Sequence, residues 1–460
     1  MTVRLTYIGH AKALMILGLP LIGSHLAQLA IGITDNIMLG WYAVEALAAV
    51  TLAFSTSFVL FIVGSGFAFA VLPMVASAMA KQDDTQVRRV TRMGLWLSAL
   101  YGAVIMLPLI WSEPILLAIG QDPRIAALAA EYLAIFALGM IPSLLVMVLK
   151  SYLSALERTQ VVLWITVLAA VLNAALNWVL IFGNLGAPEL GLKGAAIASV
   201  LMQVASLAMV MAYINRALPQ HAMFQRLWRP DWEAFGQVFR LGWPIGLTNL
   251  AESGLFSASA IMVGWVGRLE LAAHGIALQL ASATFLFHLG LSQAATVRAG
   301  QAMGARDGHS LRDTGRVATA LSVGFALLAS AVFLIVPETL LGLFLNPSDP
   351  ERPAILAIGV SLMVVAALFQ MMDGAQVTAL GLLRGQQDTR APMVFAALSY
   401  WGVGVPVSYL LGFVLGFGAV GVWLGLVVGL ACAAVLLMWR FWTRGIAQLP
   451  LAAAPGLRVG

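Results

Sequence analysis

Long apolar runs, many of 20 residues or more, follow one another along the chain, separated by short polar breaks. Each is long enough to cross the ~30 Å hydrocarbon core of a bilayer as a helix. The breaks place spans near 13–39, 46–72, 93–112, 125–149, 161–183, 191–214, 236–265, 271–297, 314–336, 354–383, 392–414 and 419–441. A lipid-exposed backbone must satisfy its own hydrogen bonds, which a helix does within a single segment. The pattern therefore predicts an all-α membrane protein of twelve transmembrane helices. The first run lacks a small-residue cleavage site and leads into another span, so it reads as the first helix and not as a removable signal peptide.

The polar and apolar positions also repeat. Shifted by 224 positions, Leu17-Gly18-Leu19-Pro20 falls on Leu241-Gly242-Trp243-Pro244, and Ile37-Met38-Leu39-Gly40-Trp41 on Ile261-Met262-Val263-Gly264-Trp265. Asp83 and Arg92 fall on Asp307 and Arg316, and the offset drifts by a few residues near Thr159 and Thr389. Each copy holds six spans, an even number, so both copies start on the same side and the repeat is parallel. The expected organisation is an N-terminal six-helix lobe, residues 1–224, and a C-terminal one, residues 225–460. A linker at about 215–233 joins them, and a central cavity is expected between them.

Composition narrows the function. The chain is 61% apolar and 10% charged, with a mean hydropathy of +0.94, which leaves no long polar segment for a soluble catalytic domain. The net charge of +5 is a topology signal: 21 of the 25 Lys and Arg fall with the termini and the even-numbered loops. By the positive-inside rule both termini are cytoplasmic, and no nucleic-acid partner is implied. The single Cys432 excludes an intrachain disulfide. No phosphate-cradling glycine loop and no metal-spaced His/Cys set is visible, so an enzyme is not expected and no cofactor is implied.

Against this background three acids stand out. Asp35, Glu252 and Asp373 lie inside spans, whereas the other 17 of the 20 acids lie in loops or at span ends. A charge at the bilayer centre costs roughly 2.5–3.5 kcal/mol on insertion scales, so such residues mark ion, proton or substrate pathways. Ser24, Gln28 and Asp35 share one face of the first helix, and their repeat mates Thr248, Glu252 and Ser259 share the same face of the seventh. Asp35 thus corresponds to Ser259 and Glu252 to Gln28, while Asp373 falls opposite Ser143. The stripes match but the acids do not.

No Lys or Arg lies deep in any predicted span, so a proton or a bound Na⁺ must neutralise each carboxylate; the residues allow both. Asn173 and Asn177, four apart on the fifth helix, share a face with Thr166, and Gln370 and Gln376 flank Asp373. Interhelical bridging and cavity lining both fit these amides. His25 and His288 read more simply as satisfied core residues.

The chain resembles the multidrug and toxic compound extrusion family, in its NorM-type bacterial branch, over nearly its full length. The likeness rests on the two six-helix halves, the paired Leu-Gly-x-Pro motifs, Thr34-Asp35-Asn36-Ile37-Met38-Leu39-Gly40 and Glu252. It continues in Met372-Asp373-Gly374-Ala375-Gln376-Val377, Leu383-Arg384-Gly385 with Asp388-Thr389, and Asn173-Ala174-Ala175-Leu176-Asn177-Trp178. The resemblance implies export of amphipathic, often cationic, small molecules across a bacterial inner membrane in exchange for Na⁺ or H⁺, with membrane lipid as the other partner and a monomer as the expected state. It implies that Glu252 and Asp373 bind the coupling cation, Na⁺ if the protein is sodium-coupled, with Asn173 and Asn177 as further contributors. Asp35, with Gln28 and Ser24 on its stripe, is implied in proton coupling or substrate engagement.

Two other readings compete. A lipid-linked oligosaccharide flippase of related fold carries an anionic cargo and favours basic residues in the central cavity. A receptor or scaffold without a transport cycle leaves the repeat and the intramembrane acids unexplained.

Overall fold

The computed structural model describes residues 5–449, and every long element in it is helical. The twelve long helices are α1 (Tyr7–Tyr42), α2 (Val44–Ala80), α3 (Asp84–Ile110), α4 (Pro123–Ala155), α5 (Thr159–Phe182), α6 (Gly191–Ala217), α7 (Trp232–Val266), α8 (Arg268–Ala305), α9 (Gly308–Ile335), α10 (Arg352–Gly385), α11 (Arg390–Val414) and α12 (Gly418–Gly445). Eleven of them are long and apolar enough to cross a membrane. The exception, α7, is 35 residues long but is diluted by Arg240, Asn249, Glu252 and the serines Ser253, Ser257 and Ser259. The ends, whose cytoplasmic placement the charge count predicts, lie partly outside the described residues.

Local chemistry repeats with the sequence. Asp83 caps α3 by accepting from the Gln86 amide at 2.9 Å, and Asp307 caps α9 by accepting from the Ser310 amide at 2.9 Å. Such caps satisfy one of the orphan donors of a helix start. Gln82 and Arg306, the residues just before them, both take a left-handed φ, 57° and 54°. Glu157 and Gln387, both at φ 61°, stand 230 positions apart, which fixes the drift of the second half of the repeat.

The chain divides into two compact units. One comprises Pro20–Leu247; the other is built from the chain up to Leu19 and from Thr248 onward. The boundaries thus fall inside α1 and α7, beside Pro20 and Pro244, and not in the linker. A proline inside a helix removes one backbone donor and so weakens the helix there.

In the Pro20–Leu247 unit, small residues set the packing: Ala46, Ala49 and Ala53 of α2 meet Ala126, Ala129 and Leu133 of α4 in one buried cluster. Gly66 of α2 lies so close to Gly242 and Gly246 of α7 that a Cβ has no room. The repeat-equivalent crossing in the other unit, Gly18 of α1 against Gly290 and Ala294 of α8, is looser, with a Cβ meeting neighbours at 3.7–3.8 Å. Small residues allow such close helix approach in membranes. The linker is held to α3. Arg89 binds Asp231 and Glu233, Arg92 donates to the carbonyls of Met223 (2.8 Å) and Ala222 (2.7 Å), and Trp96 Nε1 donates to Leu227 O (2.6 Å).

In the other unit α10 is fastened to α8 by hydroxyls. Ser292 Oγ donates to Val377 O at 2.7 Å and Thr296 Oγ1 to Gly381 O at 2.9 Å, across helices that Gly381 and Gly385 bring together. Helix α11 winds as a π-helix over Leu398–Gly404 and again over Leu410–Val414. Pro406 has no N–H to offer the Gly402 carbonyl four residues back, which favours a wider turn there.

Candidate functional site

The polar stripe of α1 meets that of α5. Ser24 Oγ and Thr166 Oγ1 are hydrogen-bonded at 2.8 Å, and Asn177 Nδ2 donates to Asp35 Oδ1 at 2.5 Å. Both pairs are 142 positions apart, as expected for two parallel helices packed in register. Asn177 Nδ2 also reaches Asn173 Oδ1 at 3.2 Å, so the two carboxamides expected on one face are stacked there and serve Asp35. Tyr132 of α4 lies close to this acid as well. Gln28, one turn beyond Ser24, is exposed.

One expectation fails in this unit. The span expected over 125–149 runs on as α4 to Ala155, which brings Lys150 into the helix, where its Nζ donates to Thr166 Oγ1 at 2.8 Å. The amphipathic stem of lysine lets the helix run on while the ammonium finds a hydroxyl.

Glu252 of α7 and Asp373 of α10 come together in the second unit, near enough for the one charge to act on the other. Asp373, Gln370 and Gln376 are all buried. Gln376 lies within hydrogen-bonding reach of Glu252, and its Nε2 donates to Tyr400 Oη at 2.6 Å. Tyr400 sits in the π-helical stretch of α11, and the adjacent Trp401 donates from Nε1 to Ala251 O at 3.1 Å, next to Glu252. Toward the start of α10 the site is covered by aromatics: Phe369 packs on Phe256 and Trp423, with ring centroids 6.0 and 5.6 Å apart.

Four shielded oxygens in this site have no hydrogen-bond partner: Glu252 Oε1, Asp373 Oδ1, Gln370 Oε1 and Gln376 Oε1. A buried acceptor without a donor costs about 1–3 kcal/mol, and more when charged. Among the described residues no group of three or more His, Cys, Asp or Glu gathers. The donor set is therefore carboxylate and amide oxygen, which suits a hard cation or a proton and not a soft transition metal.

The second exception to the expectation of no internal base is Arg384. α10 extends to Gly385, and Arg384 Nη2 donates to Asn249 Oδ1 at 2.8 Å while its charge acts on Glu252. Sequence reasoning missed Arg384, Asn249 and Tyr400 as members of this site. Asn249 and Arg384 carry a signal in helical spacing from Glu252 and Asp373; Tyr400 carries none, because its direction depends on the π-turn. His288 behaves as a core residue on its Nδ1 side, hydrogen-bonded to Ser322 Oγ at 2.9 Å and packed on Phe325. His25 is part-buried on α1.

Fold and site together define an all-helical integral membrane protein, built on an internal repeat, with acids lodged inside it. The MatE family model matches residues 20–179 and again 244–410, two matches that begin at repeat-equivalent prolines. The chain is 48% identical over 449 residues to the probable multidrug resistance protein NorM of Rhizobium meliloti, covering 96% of each. It is 37% identical to the multidrug resistance protein NorM of Burkholderia vietnamiensis, covering 94% of each. A crystal structure of the eukaryotic MATE transporter AtDTX14 superposes with a TM-score of 0.85 at 20% identity, covering 96% of this chain and 98% of that one. An outward-facing multidrug resistance MATE transporter does so with a TM-score of 0.86, also at 20% identity, covering 96% of both. The chain belongs to the MATE family, in its NorM-type branch, and is a transporter, not an enzyme.

Proposed function

We propose that this transporter is a cation-coupled antiporter of the bacterial inner membrane, with both termini cytoplasmic, that exports amphipathic, often cationic, small molecules. Glu252 and Asp373 take the coupling cation, Na⁺ or H⁺, and the observation that carries the reading is their unpartnered carboxylate and amide oxygens in an apolar bundle. A cation supplies the charge and the ligation that these oxygens lack. Asp35, with Asn173, Asn177, Gln28 and Ser24 on the facing stripes, serves a separate engagement of proton or substrate.

The export of drugs is supported by the names of the relatives, and the ion coupling by family membership. A cation moves the equilibrium between inward- and outward-facing states only by binding one of them more tightly. The flippase reading gains two internal basic side chains, Lys150 and Arg384, yet Arg384 acts on an acid and Lys150 is held by Thr166.

The test is dye efflux from proteoliposomes under a Na⁺ gradient or a pH gradient, each imposed alone. Efflux driven by one gradient and lost in both Glu252→Gln and Asp373→Asn supports the assignment. Full ion-driven efflux in both variants overturns it.

A further inference from the structure

Among the described residues, Arg384 is the charged side chain acting on Glu252 that the ion-coupling scheme leaves unused. It stands eleven residues after Asp373 on α10, three helical turns on, and therefore on the same face, about 16 Å further along the axis. Asn249, which holds its guanidinium, stands three residues before Glu252 on α7, one turn away, about 4.5 Å along the axis. Two stripes thus meet, Asp373 and Arg384 on α10 and Glu252 and Asn249 on α7, joined where Arg384 donates to Asn249. The anchor of Arg384 is a neutral amide, and its charge is felt by Glu252.

The charged and titratable groups that act on this guanidinium are Glu252 on α7 and Tyr400 on α11. His288 of α8 meets α10 behind them, at Gly374. A cation entering between Glu252 and Asp373 therefore feels the positive charge that Arg384, held on Asn249, already exerts on Glu252.

We propose that Arg384 is a tethered counter-cation that speeds release of the coupling ion: parked on Asn249 while Glu252 and Asp373 hold the ion, and moved onto Glu252 as the ion departs. It is a positioning residue, acting through Glu252. The proposal rests on the assignment of Glu252 and Asp373 as the ion site. It offsets one of the two negative charges of the empty site, which eases the return of the unloaded transporter through an apolar bundle.

The test measures half-saturating Na⁺ and H⁺ concentrations and maximal rates of dye efflux in proteoliposomes of the full chain. Arg384→Gln removes the competing charge, so the half-saturating ion concentration falls by about threefold to tenfold and the maximal rate falls with it. Arg384→Lys keeps a charge on a flexible stem and restores both values most of the way. Asn249→Ala frees the guanidinium to occupy Glu252, so the half-saturating concentration rises. Opposite shifts in Arg384→Gln and Asn249→Ala support the proposal, because loss of packing alone moves both variants the same way. An unchanged half-saturating concentration in either variant, or shifts of the same sign, overturns it. If Arg384→Gln does not insert, the Asn249→Ala shift decides alone. Glu252→Gln and Asp373→Asn, run in parallel, separate the two ideas: if they keep ion-driven efflux the ion site itself is misplaced, and if they lose it while Arg384→Gln leaves ion affinity untouched only the role of Arg384 fails.

Discussion

Asp35 in one compact unit and Glu252 in the other lie on helices of equivalent rank in the repeat, yet the surroundings of Asp35 differ from those of Glu252 and its neighbour Asp373. Asp35 is matched by the carboxamide of Asn177, which is in turn braced by Asn173. Glu252 and Asp373 each keep a shielded oxygen without a donor and share one neighbourhood of charge. Beside Asp35 the shielded atoms without a partner are on the amides, Asn173 Nδ2 and Asn177 Oδ1, whereas at Glu252 and Asp373 they include the carboxylate oxygens themselves. The comparison teaches that a duplicated scaffold can set its acids in different hydrogen-bonding surroundings, and the proposed ion site rests on that difference. The same difference runs through the glycine crossings, closed to any Cβ at Gly66 and open to one at Gly18.

The largest expected effect separates the acids. Glu252→Gln or Asp373→Asn lowers ion-driven efflux by ~100-fold or more, while Asp35→Asn, which keeps an amide contact, lowers it by about tenfold. Equal losses in all three variants, measured at matched protein per vesicle, erase the distinction between the units. Next come the crossings. Gly66→Ala forces α2 and α7 apart at a destabilisation of about 1–3 kcal/mol, seen as a lower melting temperature in detergent, whereas Gly18→Ala stays within ~0.5 kcal/mol. A melting temperature unmoved by Gly66→Ala contradicts the packing difference.

A smaller effect concerns Tyr400. Tyr400→Phe removes the acceptor of Gln376 Nε2, which then turns to the carboxylate of Glu252 and weakens cation binding about threefold. A half-saturating ion concentration that stays constant removes Tyr400 from the site. The smallest effect lies outside the membrane, at the linker. The hydrogen bond from Arg89 holds Asp231 below its ordinary carboxylate range. A lowered folded value contributes stability that is present above the ordinary value and is lost only as pH falls through the lowered one. The clasp is therefore intact from about pH 5 to 9, and Asp231→Asn leaves the pH profile of efflux unchanged while hydrogen exchange over 222–231 quickens. A profile displaced by Asp231→Asn assigns part of the pH response to the linker.

Much of this was legible in the sequence. The spans, the 224-residue repeat and the three acids followed from apolar length and spacing, and the shared face of Asn173 and Asn177 followed from helical periodicity. Other features were not. The expectation that no Lys or Arg lies deep in a span rests on span ends set at the polar breaks, and α4 and α10 run past those ends to carry Lys150 and Arg384. The partner of Asn173 and Asn177 was equally hidden, since periodicity gives a face but not the helix that it meets.

What the sequence determined by itself was set by the bilayer, which requires every span to be long, apolar and internally hydrogen-bonded, so that each can be read one segment at a time. What only the tertiary structure decided was which stripe faces which: α5 against α1 at Asp35, and a π-wound α11 against α7 and α10 at Glu252 and Asp373. Those matches depend on the rotation and depth of helices packed through glycine, alanine and serine, a collective outcome of close packing that no single segment encodes.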